Sequence, residues 1–216
     1  MVGSWILKAQ RGLTSVGEVL GWDWLIDNPL VYFGFARATR RNAPVLVQAI
    51  KDCLPQVHRI VDVGCGTGAF LAWFRKAGVD AIGVEFAARL RARCARKGLT
   101  VYPFDVSQNT PSPPGIPFDL ALSTEVAEHI PPEFADAMVA YICQLSDLVV
   151  FTAAHPGQGG TGHVNEQPRQ YWIDKFTGRA MDLDEQGTAA IAAKLQASPA
   201  FPYLRENLSV FRRRAT

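Results

Sequence analysis

The sequence carries almost no excess charge: 22 Lys and Arg against 20 Asp and Glu leave +2 over 216 residues. No whole-molecule field therefore calls for a nucleic acid or a membrane surface. It lacks any uncharged apolar run near the roughly 20 residues of a membrane-spanning helix. Gln10, Arg11, Glu18 and Asp23 interrupt the stretch in which a secretion signal would need a cationic start and an apolar centre. Cysteine is sparse, and positions 53, 65, 94 and 143 show no paired spacing. Reduced thiols in a soluble, unprocessed, cytoplasmic protein are expected. Internal repeats are absent. Arg89, Arg93, Arg96 and Lys97 fall at helical spacing and read as a solvated face, and Arg212 to Arg214 as a frayed basic tail. What remains is 48% hydrophobic, enough for a sizeable single core.

Against that background one run stands out: Ile60-Val61-Asp62-Val63-Gly64-Cys65-Gly66-Thr67-Gly68-Ala69-Phe70. An apolar strand ends in a carboxylate and three alternating glycines before a helix begins. Glycines let such a turn bend sharply and approach a ligand, and the helix offers its unpaired N–H groups. The turn alone permits two nucleotide-type cofactors. Gly64, Gly66 and Ala69 fit the dinucleotide pattern G-x-G-x-x-A, with Glu85 about twenty residues on where a ribose-binding acid belongs. Asp62, however, would repel a pyrophosphate. S-adenosylmethionine carries an ammonium and a sulfonium, and a carboxylate in the turn complements it directly or through water.

From these residues the chain resembles the class I S-adenosylmethionine-dependent methyltransferases, whose first motif reads acid-x-Gly-x-Gly-x-Gly, here Asp62 to Gly68. Three further markers follow in order: Glu85 ending Ala81-Ile82-Gly83-Val84-Glu85, Asp105 in Tyr102-Pro103-Phe104-Asp105-Val106, and the strand Phe118 to Ser123. The resemblance covers roughly residues 59–153. It implies that Asp62, Gly64, Gly66 and Gly68 receive the cofactor, that Glu85 takes the ribose hydroxyls, that Asp105 with Val106 faces the adenine, and that Ser123 closes the floor. It also implies a Rossmann-like, seven-stranded, mostly parallel α/β sheet with helices on both faces and an antiparallel final strand.

The hydrophobic pattern agrees with that architecture. Strands are expected at 59–63, 80–85, 99–104, 118–123, 147–153 and near 207–212, with helices at 44–54, 68–77, 87–97, 132–144, 168–177 and 184–197. Alternation of this kind argues for a parallel sheet covered on both sides. Pro44 is expected in a helix's first turn. Residues 1–43, with Trp5, Trp22, Trp24 and Tyr32, read as a helical lid or cap, and 44–216 as the methyltransferase domain.

In an open α/β sheet the reacting groups come from loops beyond the strands' carboxyl ends. The first such loop reads Ser123-Thr124-Glu125-Val126-Ala127-Glu128-His129-Ile130. On a helical turn Glu125, Glu128 and His129 would share a face and form a site for a divalent metal such as Mg. The Glu-x-x-Glu-His order resembles that of ubiquinone-pathway O-methyltransferases and small-RNA terminal 2′-O-methyltransferases. The resemblance implies a metal beside the substrate hydroxyls and, in the RNA group, another histidine after the fifth strand. His155 and His163 are both available, with His163 preferred. Without a metal, His129 or His163 serves as a general base or His129 as packing. The segment from Gly162 to Trp172 is rich in hydrogen-bonding and aromatic groups, with Tyr171 and Trp172 open to either substrate stacking or core packing. Gly157, Gly159, Gly160 and Gly162 suggest a lid-like connection.

The expected activity is an S-adenosylmethionine-dependent O-methyltransferase acting on a hydroxyl of a small molecule or saccharide, with metal or histidine assistance. An RNA terminal 2′-O-methyltransferase is the alternative within that class, made less favourable by near-neutral charge. A nicotinamide oxidoreductase and a non-catalytic methyltransferase-like binding protein are the alternatives outside it. No Asn-Pro-Pro-Tyr-type motif follows the fourth strand, which argues against nucleobase amine methylation.

Overall fold

A computed structural model of the protein describes residues 29–196 and 202–215, with side chains described from residue 36 onward in the first of these segments. Described strands are β1 (Arg59–Val63), β2 (Asp80–Glu85), β3 (Val101–Pro103), β4 (Leu120–Thr124), β5 (Leu148–Thr152), β6 (Met181–Leu183) and β7 (Ser209–Arg213). Described helices are α1 (Pro29–Cys53), α2 (Ala69–Lys76), α3 (Ala88–Ala95), α4 (Ala135–Leu145), α5 (Arg169–Thr177), α6 (Glu185–Gln196) and α7 (Pro202–Glu206). The seven strands form one sheet in the order β3-β2-β1-β4-β5-β7-β6. Pairing is parallel from β3 to β5, and β7 runs antiparallel to both β5 and β6.

The central strands are apolar almost throughout because both faces are covered. Ile60, Leu120, Leu122, Leu148 and Val150 pack with α1, α2 and α6 on one side. Val61, Val63, Ala121, Val149 and Phe151 pack with α4 and α5 on the other. Successive residues of a strand point to opposite faces, so a one-residue slip would exchange the two cores. At the amino-terminal edge of the sheet Asp119 Oδ2 accepts the backbone N–H of both His58 and Arg59 at 2.8 Å. That bond sets β1 beside β4 at the end away from the glycine turn.

Five elements differ from those expected. Helix α1 starts at Pro29 and carries Pro44 inside it. The division expected after residue 43 thus falls within a helix, and residues 1–28 of the expected cap, with Trp5, Trp22 and Trp24, lie outside the described residues. Strand β4 begins at Leu120, with Phe118 making only a bridge to Ser146. Strand β3 is three residues long. β6 and α7 had no expected counterpart; β6 exists through its register on β7, Met181 opposite Arg213 and Leu183 opposite Phe211. Three residues between two helices carry too little periodicity to announce a strand.

Candidate functional site

β1 delivers the chain to the glycine turn at the carboxyl edge of the sheet. Gly64, Gly66 and Gly68 all adopt left-handed backbone, φ 76, 53 and 73, where a side chain is disfavoured. Space matters as well at two of them. A Cβ on Gly64 would lie 2.6 Å from Val126 Cγ2, and one on Gly68 2.6 Å from Leu99 Cδ1. At Gly66 the nearest atom to such a Cβ is 4.0 Å away, leaving the middle of the turn open for a ligand to approach.

Two acids sit behind this turn. Glu85, at the tip of β2, accepts the N–H of Gly66 on Oε2 at 2.8 Å and that of Ala87 on Oε1 at 2.9 Å. Burial raises its pKa, and those two N–H bonds with the nearby Arg91 oppose the rise. Asp62 is 1% exposed, and its Oδ2 has no hydrogen-bond partner among the described residues. Burial, reinforced by the negative charge of Glu85, pushes its carboxyl well above the usual range. An unpaired buried carboxylate is costly. A cationic ligand, or water bridging to one, removes that cost, so the chemistry of the turn suits a positively charged amino-acid-like group.

Beyond the tips of β2 and β3 a cavity of about 370 Å³ is lined by Phe86, Phe104, Asp105, Gln108 and Thr110 among others. Asp105 is held by its own loop: Oδ1 accepts Ser107 N at 2.9 Å and Ser107 Oγ at 2.6 Å, and Oδ2 accepts Gln108 Nε2 at 2.9 Å. Val106 packs half-buried against the sheet. Ser123, fully buried on β4, leaves Oγ without a partner among the described residues.

The segment after β4 does not form the expected α-helical turn. Glu125 takes a left-handed φ of 53, costly for a residue with a side chain. Its N–H is drawn to the carbonyl (3.1 Å) and Oγ1 (3.0 Å) of Thr152 on β5. A short 3-10 turn, Ala127–His129, follows. The Glu125 carboxylate points to Asn207 Nδ2 at 3.0 Å and Gln158 Nε2 at 3.1 Å. The structure instead groups Glu128, His129 and His163, with one potential ligand atom of each within 4.8 Å of the others. His155 and Glu125 lie outside this group.

Glu128 is fully buried and neither carboxylate oxygen has a hydrogen-bond partner among the described residues. Burial, then the charge of Glu125, drive its pKa far up; the backbone N–H groups of Glu128 and Ala154 lie near enough to favour the carboxylate without reaching hydrogen-bond geometry. His129 is 3% exposed, and burial lowers its pKa to about 4. Its Nδ1 lies 3.1 Å from the carbonyl of Gly162, and its ring meets that of His163 edge-on at 4.9 Å. The loop after β5 is fastened to this turn by Val164 N and Asn165 N, both donating to the Glu128 carbonyl at 2.9 and 3.0 Å.

Several neighbours carry no expected role: Gln158 and Asn207, which hold Glu125, and Tyr203, whose hydroxyl accepts Asn42 Nδ2 at 3.3 Å. Only tertiary contact brings them together, from α1, the loop after β5, α7 and the link between α7 and β7. Trp172 is 3% exposed and packs on Phe151, placing it in the core.

A family model described as a methyltransferase domain matches residues 35–149. A ubiquinone biosynthesis O-methyltransferase of Methylococcus capsulatus is 37% identical over 80 residues, 34% of this chain and 33% of that protein; the match spans about a third of the relative's length. Among solved structures, a sugar N-methyltransferase from Streptoalloteichus aligns with TM-score 0.64 at 16% identity, covering 86% of this chain and 92% of that one. An amino pentose methyltransferase from Micromonospora echinaspora, solved with S-adenosylmethionine bound, aligns with TM-score 0.59 at 17% identity over 85% and 95%. At such identities the likeness is one of fold.

Proposed function

This chain belongs to the methyltransferase-domain family, and from that premise we propose that it is an O-methyltransferase that moves the methyl group of S-adenosylmethionine onto a hydroxyl of a small molecule or saccharide. The observation that carries this reading is the grouping of Glu128, His129 and His163 within 4.8 Å, together with a turn where Asp62 Oδ2 lacks a partner among the described residues and so suits a cationic donor. The family match favours a methyl donor over a nicotinamide.

In this reading Asp62, Gly64, Gly66 and Gly68 receive the amino-acid end of the donor, Glu85 its ribose hydroxyls, and Asp105 with Val106 its adenine. Ser123 closes the floor. When bound, S-adenosylmethionine supplies an electrophilic methyl on a sulfonium, and a divalent cation would supply positive charge that makes an acceptor hydroxyl more acidic. Glu128, His129 and His163 are the residues to hold such a cation. The orphaned oxygens of Glu128 fit that role. Two imidazoles and one carboxylate suit a cation that accepts nitrogen ligands, such as Zn or, less strongly, Mn, better than Mg, which prefers oxygen and would want Glu125 as well.

Should the site work without a cation, proton removal falls to His163. His129, with a pKa near 4, is neutral at pH 7 but a poor proton acceptor. Residues 1–43 act as the cap in this reading, and α1 brings Asn42 against Tyr203 at the rim. No described helix is long and apolar enough to cross a membrane, and a cytoplasmic setting accommodates the four free thiols.

The test is methyl transfer from S-adenosylmethionine to a panel of polyhydroxylated and catechol-like acceptors, with and without chelator, in the wild type, Glu128→Gln and His163→Ala. Losses of about 100-fold or more are expected in both variants. Chelation that abolishes turnover supports the cation; turnover that survives chelation but not His163→Ala supports the histidine base. Variants as active as the wild type would remove the cluster from the reaction. Stabilisation by NAD and not by S-adenosylhomocysteine would overturn the donor.

A further inference from the structure

Glu166 has no assigned role, yet three N–H groups converge on its carboxylate. Oε1 accepts His163 Nδ1–H at 2.7 Å and Gly159 N–H at 2.7 Å, and Oε2 accepts Gly157 N–H at 2.8 Å. Three N–H donors on one carboxylate suit its ionised form. An ionised carboxylate can only accept. The proton of a neutral His163 must therefore sit on Nδ1, which leaves the lone pair on Nε2.

His129 reaches the same tautomer by a different acceptor. Its Nδ1 faces the carbonyl of Gly162, and a carbonyl, too, can only accept. That carbonyl belongs to the same loop that Glu166 ties down. Gly157, Gly159 and Gly162 are left-handed, φ 86, 69 and 81, so the loop curls back on itself as chiral residues would resist doing. Gly160 leaves no room for a side chain, since a Cβ there would lie 2.2 Å from His163 Nε2. The loop is a close-fitting collar around His163, and Glu166 is its clasp.

We propose that Glu166 is a positioning residue of the site: its carboxylate fixes His163 in the tautomer with Nε2 as the ligating or proton-accepting nitrogen and, through Gly157 and Gly159, holds the loop whose Gly162 carbonyl does the same for His129. The inference rests on the reading of Glu128, His129 and His163 as reaction machinery. Hydrogen-bonded carboxylates behind metal-binding histidines orient the ring and fix the tautomer in this way.

The experiment reads the tautomer directly. Nitrogen-15 NMR of the histidine rings is recorded on the metal-free protein, at a pH where both imidazoles are neutral, for the wild type, Glu166→Ala and Glu166→Gln. Mn²⁺ calorimetry on the same proteins reports the site. The wild type is expected to show His163 protonated on Nδ1. Glu166→Ala should mix the two tautomers, with S-adenosylhomocysteine binding retained, and weaken Mn²⁺ by about 10- to 100-fold; Glu166→Gln, which keeps an acceptor oxygen, should recover most of both. A folded Glu166→Ala protein with the wild-type tautomer overturns the proposal. If that variant fails to fold, the wild type decides alone, since a His163 proton on Nε2 overturns it equally. A tautomer that shifts as expected in a protein that binds no Mn²⁺ supports the positioning role while removing the cation from the proposed reaction.

Discussion

Gly64 shows how much of the site rests on single atoms. Alanine there would meet Val126 at 2.6 Å in a left-handed backbone, combining about 1–2 kcal/mol of conformational strain with about 1–3 kcal/mol of overpacking. Gly64→Ala should lower Tm and weaken S-adenosylhomocysteine binding. Adding Val126→Ala should return the packing part of the lost stability and leave the backbone part, a split that denaturant melts of the two variants can measure. His129 offers a second residue-level test. Its folded pKa lies near 4, below the ordinary 6.5, so the unfolded chain binds the proton first as pH falls. Its contribution to stability is therefore complete above pH 6.5 and is lost progressively towards pH 4, by up to about 3 kcal/mol. His129→Gln should be less sensitive to acid than the wild type over that window; parallel melting curves for the two proteins would contradict the buried, neutral imidazole.

At the scale of elements, the two edges of the sheet do different work. Asp119 joins β1 to β4 at the edge away from the glycine turn, through two 2.8 Å bonds to His58 and Arg59. Being exposed, those bonds are worth about 1 kcal/mol. Asp119→Ala should thus reduce stability by that order while S-adenosylhomocysteine affinity stays unchanged by calorimetry; a matching fall in affinity would mean that the two edges are coupled. The strand-to-turn junctions at the carboxyl edge were legible because acid and glycine spacing follows directly from the chain. The turn after β4 was not. An i, i+3, i+4 rule assumes an α-helix, and the pull of Thr152 on the Glu125 N–H breaks that assumption from another strand. The convergence of Glu128 and His129 with His163 arises from the loop after β5 folding back, not from helical periodicity.

Across the whole molecule the charge is nearly balanced at +2, yet the interior side of the site is acidic. Asp62, Glu85 and Glu128 are all buried with raised pKa values, burial being the leading cause in each. For an acid this means that the unfolded chain loses its proton first. The ligand-free protein should therefore lose stability from these groups as pH rises above the ordinary 3.8 and 4.5 and through their raised folded values, opposite in sign to the His129 effect. Asp62→Asn with Glu128→Gln should flatten that decline and raise Tm at neutral pH without ligand, while weakening S-adenosylhomocysteine binding. If the double variant is less stable than the wild type at every pH, the buried acids are paired in a way that the geometry around Asp62 and Glu128 contradicts.

The order of strands and helices, the glycine turn with Asp62, and the acids at the tips of β2 and β3 could be read from the chain itself, because each depends on spacing within a few residues. The antiparallel final strand was likewise foreseeable, from alternation over 207–212 and from family resemblance, and it forms as β7, Ser209–Arg213. Other features depended on distant segments meeting: the short strand β6 beside β7, the continuation of α1 back through Pro44, the diversion of Glu125 to Asn207, and the approach of His163 to Glu128 and His129 without Glu125. Local sequence sets backbone preference and face, whereas which donor and acceptor satisfy a buried carboxylate or imidazole is decided by whatever the fold brings within about 3 Å.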